Sequence, residues 1–399
     1  MPARLAPAQI RRRWGICHNM QASEIEAPPR ILHVGRPNIG DAEAFLASAR
    51  DILESSWLTN NGAYVQRLEE EIQNYLGVKN VIAVCNGTLG LQILLAASLE
   101  RIGEVVVPDF TFIATAQAVT AAGHRVVIAD VDERSHCLSP TAVERLIGPD
   151  TVAILGVHLW GNQCFVDEFR DIADRHGVKL FFDAAHAFGS RFKGRAIGGF
   201  GDAEVFSFHA TKVFNTFEGG AIVTNDDELA SKCRKIRNFG FIGTDRVECL
   251  GTNAKMTEIS AAMGLVNLKR VDQFIADNRR NYLLFKKYEE QIAGLKVLDP
   301  GPDMDSNHHY VVARIDEAAF GASRDEIVDA LWNNGVRARR YFHPGVSKTP
   351  PYEWLQNAPV PISQHLCQTL IIFPTGPSVT EDDVERIFCV INGVSGASR

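Results

Sequence analysis

Phe182-Asp183-Ala184-Ala185-His186-Ala187-Phe188-Gly189, then Gly201-Asp202, then Phe206-Ser207-Phe208-His209-Ala210-Thr211-Lys212, then Glu218-Gly219-Gly220-Ala221: the fold is read from these segments. Residues 179–183, 203–208 and 221–224 are short apolar runs bounded by turn residues, which is the signal of buried strands. Upstream, similar runs at 80–84, 104–107, 125–130 and 151–157 alternate with helix-period segments at 89–98, 113–122, 140–146 and 166–176. Strands that alternate with helices predict a mainly parallel sheet covered on both faces. In such sheets ligands sit at the carboxyl ends of strands, so the residues just past each strand carry the functional information.

The flanks extend this core. Residues 41–77 read as helical, interrupted by the turn Thr59-Asn60-Asn61-Gly62. A helical stretch from 257 to about 292 has little Gly or Pro and is expected to link the large unit to a smaller α+β unit. That smaller unit has strands expected at 310–315, 336–341 and 370–373, a helix opened by Ser323 with Glu326 three residues on, and a last helix from Thr380. The expected division is 1–29 as a disordered extension, 30–256 as the large domain, 257–294 as a linking helix and 295–399 as the small domain. With 399 residues, 46% of them hydrophobic and 22% charged, the composition is that of a globular enzyme. A formal charge of −7 argues against a nucleic-acid partner, and the apolar runs are too short to span a membrane. The eight scattered cysteines form no CxxC pair and read as reduced thiols, hence a cytoplasmic location. Arg11-Arg12-Arg13 is followed by no long apolar core, so a secretory signal is not expected; Met20 is an internal start candidate.

Pyridoxal 5'-phosphate (PLP) chemistry needs a lysine, a carboxylate facing the pyridine nitrogen, a phosphate cup and an aromatic cover. Lys212 lies in a loop between two apolar strands, flanked by Ser and Thr and followed by Gly-Gly. A lone lysine is ordinarily a surface charge, but this placement suits a buried amine of lowered proton affinity. Asp183 ends a strongly apolar strand, where a carboxylate is costly unless paired; an N-cap or a structural carboxylate stays open as the alternative. Asn86-Gly87-Thr88 closes one strand and opens a helix whose first N–H groups could hold a phosphate. Phe112 could stack on the ring or simply pack in the core.

Together these segments resemble the DegT/DnrJ/EryC1/StrS family of nucleotide-sugar aminotransferases, over nearly the whole chain from about Pro29 to Val394. The resemblance implies the aspartate-aminotransferase (PLP-dependent type I) α/β fold, with a large mainly parallel mixed sheet domain and a small α+β C-terminal domain. Carried over by position, it implies Lys212 as the Schiff-base lysine, Asp183 against the pyridine nitrogen, and His186, where many members have Gln, at the ring hydroxyl side. Gly87, Thr88 and Ser207 would bind the phosphate and Phe112 would stack; Asn86 stands where Ser is common, leaving its side-chain role open. Asn253 would cap the phosphate of the neighbouring subunit, which requires a homodimer. Lys255 stands where many members have Arg, so a bidentate fork is lost. A branch of the family replaces the lysine by His and dehydrates its substrate, and Lys212 argues against it. The 209–216 run and Asn253-Ala254-Lys255-Met256 most resemble enzymes that aminate a dTDP-linked 4-keto-6-deoxy sugar with glutamate as donor.

A nucleotide sugar brings a diphosphate, for which Lys255, Arg339, Tyr341 and His343 are the candidates; Arg337, Arg339 and Arg340 read alone are solvated strand-edge charges. Trp57, Thr59 and Asn60 could form a sugar-facing wall, with Trp57 alternatively in the core. Other readings stay open here: an amino-acid transaminase or lyase using a small-domain arginine, a 3-keto sugar as substrate, and a non-catalytic protein that keeps the fold.

Overall fold

The computed structural model describes residues 30–355 and 358–397; the expected extension at 1–29 lies outside them. Seven strands build the main sheet: β1 (Asn80–Val84), β2 (Glu104–Pro108), β3 (Arg125–Ala129), β4 (Thr151–Val157), β5 (Lys179–Asp183), β6 (Ala203–Ser207) and β7 (Gly220–Thr224). Their order is β1-β7-β6-β5-β4-β2-β3, with β3, β2, β4, β5 and β6 parallel and β7 antiparallel to both neighbours. The expectation of a mainly parallel mixed sheet is met.

The strands read as apolar runs because both faces are buried. Val81, Ala83, Val106, Ile154, Phe182 and Phe206 join one core, while Ile82, Val84, Val107, Leu155, Phe181 and Val205 join the other, the alternation that the pleat imposes. The first face is covered by α2 (Ala63–Leu76), α5 (Pro140–Leu146), α6 (Val166–His176) and α8 (Glu258–Leu268), the second by α3 (Gly87–Ser98), α4 (Ala114–Ala121) and α7 (Asp227–Arg237). Helix α1 (Ala42–Ser55) precedes them, capped by Asp41, whose carboxylate accepts from the N–H of Ala44.

The expected linking helix at 257–294 is instead two helices, α8 and α9 (Val271–Glu289), separated at Lys269-Arg270. Neither residue is a breaker by type; α8 packs on α1 and α2, whereas α9 turns away to a second, smaller core. That core holds the antiparallel strands β8 (Leu295–Val297), β9 (Val311–Ile315) and β10 (Leu370–Phe373), together with α10 (Arg324–Asn333) and α12 (Glu381–Ala397). The capping box that opens α10 is formed: Ser323 N–H donates to Glu326 Oε2 at 2.8 Å and Glu326 N–H to Ser323 Oγ at 3.3 Å. The expected strand at 336–341 shrinks to Val336–Arg337, parallel to Leu32–His33, and a single bridge of Arg339 to Ile372. Beyond it the chain leaves the sheet and docks on the ends of β2 and β3. Asp109 accepts from Ser347 N–H at 2.6 Å and from the Ser363 hydroxyl. Asp130 accepts from the N–H groups of Ile362 and Ser363, at the start of α11 (Pro361–Thr369). Among the described residues all seven cysteines are free, and no helix is long and apolar enough to cross a membrane.

Candidate active site

The carboxyl ends of β1, β5 and β6 converge because β7 runs between β1 and β6, with Gly220 facing Val84 on one side and Ser207 on the other. A Cβ on Gly220 would lie 2.7 Å from the Phe206 carbonyl oxygen and 2.8 Å from Gly87 N, so only glycine lets the β1–α3 turn close over β6. Gly87 is held the same way, its added Cβ falling 3.1 Å from Ser207 Cβ. The result is a narrow cradle where the α3 N-terminus, Thr88 and the Ser207 side chain meet, a geometry suited to an anion. The open question about Asn86 is answered: its Oδ1 accepts from Leu89 N–H at 2.8 Å and caps α3.

Asp183, at the end of β5, is buried. Its carboxylate accepts from Thr115 Oγ1 at 2.9 Å and from Ala185 N–H at 3.0 Å. Burial raises its proton affinity, and the two hydrogen bonds and the Lys212 charge oppose that rise. Lys212 sits half-buried in a loop pinched shut by Phe208 N–H to the Gly219 carbonyl at 2.8 Å and Thr216 N–H to the Phe208 carbonyl at 2.9 Å. Desolvation brings its amine down from 10.5 to about 8, with Asp183 pulling the other way. The Nζ lies 3.4 Å from the Tyr310 hydroxyl.

His186 stands three residues past Asp183, stacked on Trp160 at 5.6 Å and tilted against Tyr310 at 4.5 Å. Burial and the neighbouring Lys212 and His309 hold it neutral, and its buried Nδ1 has no hydrogen-bond partner among the described residues. Behind these residues, Cys164 N–H donates to His158 Nδ1 at 3.0 Å, and His158 Nε2 lies 3.2 Å from the buried Glu204 carboxylate. By accepting that N–H, His158 pins the turn that carries Trp160, whose φ is 60° and whose indole N–H donates to His136 Nδ1 at 3.3 Å.

A groove of about 400 Å³ opens beside Thr111, whose hydroxyl meets that of Thr115. Phe112, Arg339, Tyr341 and His343, all expected at the site, line it together with Trp332 and Phe342. Phe112 is 59% exposed and so is not core. Of the three arginines read as edge charges, Arg340 pairs with Asp325 and Asp329, and Arg337 lies over the Trp332 ring. Arg339 lies over Tyr341 at 5.3 Å with no carboxylate partner among the described residues. Lys255 also lacks one; its Nζ donates to Asn253 Oδ1 at 2.6 Å and lies over Phe239, on the segment that bridges to the end of β1. Thr59 does not line the groove: its turn is pinned to the Glu258 carboxylate through the N–H groups of Gly62 and Tyr64. Trp57 is 57% exposed, which removes the core alternative.

Sequence reasoning passed over Thr115, Trp160, His309 and Tyr310. Their one local signal is position, since Trp160 follows a strand end and Asn307-His308-His309-Tyr310 leads into one.

Comparison with known proteins bears on this arrangement. The model of the DegT/DnrJ/EryC1/StrS aminotransferase family matches residues 40–392. A dTDP-4-amino-4,6-dideoxy-D-glucose transaminase of Shigella dysenteriae is 33% identical over 91% of this chain and 99% of its own. A GDP-perosamine synthase of Caulobacter vibrioides is 34% identical over 86% and 93%. A crystal structure of DesI in the presence of its TDP-sugar product superposes with a TM-score of 0.89 at 41% identity, covering 92% of this chain and 93% of that one.

Proposed function

Because the chain belongs to the DegT/DnrJ/EryC1/StrS aminotransferase family and is a PLP-dependent sugar aminotransferase of the type I fold, we propose that it moves an amino group from glutamate to a 4-keto-6-deoxy nucleotide sugar. The product is a 4-amino-4,6-dideoxy sugar, dTDP-linked. The observation that carries the reading is the meeting of a desolvated amine, Lys212, and a buried carboxylate, Asp183, next to a groove whose Arg339 has no carboxylate partner among the described residues.

The residues fit the cofactor. Asp183 is a buried carboxylate whose raised proton affinity leaves it in want of a cation, which the pyridine nitrogen would provide. At the Gly87–Ser207 cradle a side chain on Gly87 would crowd Ser207, whereas the N–H groups that open α3 suit phosphate oxygens, and among the described residues the buried His186 Nδ1 has no hydrogen-bond partner. Lys212 would hold the cofactor, Gly87, Thr88 and Ser207 its phosphate, His186 its hydroxyl side and Phe112 its exposed face. When bound, PLP supplies an electron-withdrawing ring that takes up the charge released as the donor's α-proton leaves. Lys212, poised near neutral pH, takes that proton and later returns one to the sugar carbon that receives the amine. Asp183 stabilises positive charge at the far end of the cavity throughout.

Asn253 is exposed and Lys255 partly so, and in a homodimer they would serve the partner's site. The relatives support a nucleotide diphosphate, with Arg339 and Lys255 as its anchors. The GDP-perosamine synthase similarity favours a second reading, a GDP-linked sugar. The test is incubation with glutamate and a panel of dTDP- and GDP-linked 4-keto and 3-keto sugars, with products read by mass and NMR. Amination at C3 alone, or of no nucleotide sugar, would overturn the proposal.

A further inference from the structure

Tyr310 immediately precedes β9 and is boxed in by rings: His309 at 4.4 Å, His186 at 4.5 Å, Trp160 at 5.4 Å and Tyr341 at 6.1 Å. A buried phenol ordinarily finds a hydrogen-bond partner. Among the described residues the partner of this one is Lys212 Nζ, at 3.4 Å. That distance is at the long end for a hydrogen bond, and rotation of the lysine stem can shorten it.

The segment that carries Tyr310 also holds both halves of the site. Asn307 donates through its amide to the carbonyls of His186, at 2.9 Å, and Phe188, at 3.0 Å, which belong to the loop after Asp183. The Tyr310 hydroxyl is therefore tied to the carboxylate loop through Asn307 and meets the lysine directly.

Resting on the reading of Lys212 as the cofactor lysine, we infer that Tyr310 receives the Lys212 amine whenever that amine is not bonded to the cofactor, and so is a positioning residue for proton transfer. A freed lysine has four rotatable bonds, and a fixed partner keeps its nitrogen within reach of the reacting carbon. The hydroxyl serves both states of the amine: it accepts from the ammonium and donates to the neutral nitrogen. It keeps its own proton, because burial pushes its ionisation far above the ordinary phenol range. The other titratable groups facing Lys212 are Asp183, which favours the ammonium, and His186 and His309, both kept neutral by burial and by the amine itself.

Tyr310→Phe removes the hydroxyl and keeps every ring contact, which circular dichroism of the holoenzyme checks. In cofactor-stripped protein, amine labelling across pH with peptide mass readout measures the ionisation of Lys212. It should fall by about half a unit to one unit, because the charged donor loses the stronger hydrogen bond. In holoenzyme, single-turnover loss of the cofactor absorbance with glutamate should slow about tenfold, with half-saturating glutamate unchanged within about twofold. An unchanged Lys212 ionisation together with an unchanged single-turnover rate would overturn the inference. Lys212→Ala separates the two ideas: if it kept the native cofactor band, the reading of Lys212 would fall, while the labelling result would still judge Tyr310.

Discussion

Replacing Lys212 by methionine should make the cofactor-free protein more stable, and the amount follows from the site. The Lys212 amine ionises at about 8 in the fold against an ordinary 10.5, with desolvation as the main cause. At about 1.4 kcal/mol for each tenfold change in proton affinity, the ammonium is disfavoured by at most about 3 kcal/mol. Partial solvent access and the lost hydrogen bond of about 1 kcal/mol to Tyr310 bring the expected gain to about 2 kcal/mol. The sign follows from linkage. A base whose ionisation is lowered by folding binds fewer protons folded than unfolded between those two values, so the wild type gains stability as pH rises from 8 to 10.5. Below pH 8 the penalty is fully present, and above 10.5 it is gone. Urea unfolding of stripped wild type and Lys212→Met at matched concentration, from pH 7 to 10.5, should show a gap that narrows as pH rises. A variant less stable than wild type at pH 7, or a gap that does not change with pH, would refute the idea that the amine is held against solvation.

Asp183→Asn should keep much of the fold and some cofactor but lose about 10²–10³ in turnover, because a neutral amide cannot oppose a positive ring nitrogen; an undiminished rate moves that contact elsewhere. Neutralising Lys255 or Arg339 should raise KM for the nucleotide sugar at least about tenfold and leave KM for glutamate nearly unchanged. Equal effects on both substrates would take the diphosphate out of the groove. An inactive Lys212→Ala subunit mixed with an inactive Asn253→Ala subunit should regain activity, since each hybrid dimer has one site with both residues intact. Failure to complement under conditions where subunits exchange would place Asn253 in its own chain's site.

The strands of the main sheet were legible to within a residue or so at each end, because burial on both faces leaves apolar runs bounded by polar turns. Asp183 was legible for the same reason, as a carboxylate ending an apolar run where it is costly without a partner; Gly87 was read from the turn that opens a helix, and Ser207 from the family resemblance alone. The capping box at Ser323 and Glu326 is local chemistry and needed no partner. The break between α8 and α9 had no such mark, since Lys269 and Arg270 suit a helix and only the different packing partners of the two halves divide them. The sequence by itself determined which strands form and which residues end them. What the tertiary structure decided was who meets whom: β7 inserted antiparallel between β1 and β6, which presses Gly87 against Ser207, and the strand entry at 307–310 laid across two loops about a hundred residues upstream. Those meetings rest on contacts between residues far apart in the chain, and periodicity, which reports only the environment of neighbours, has no way to record them.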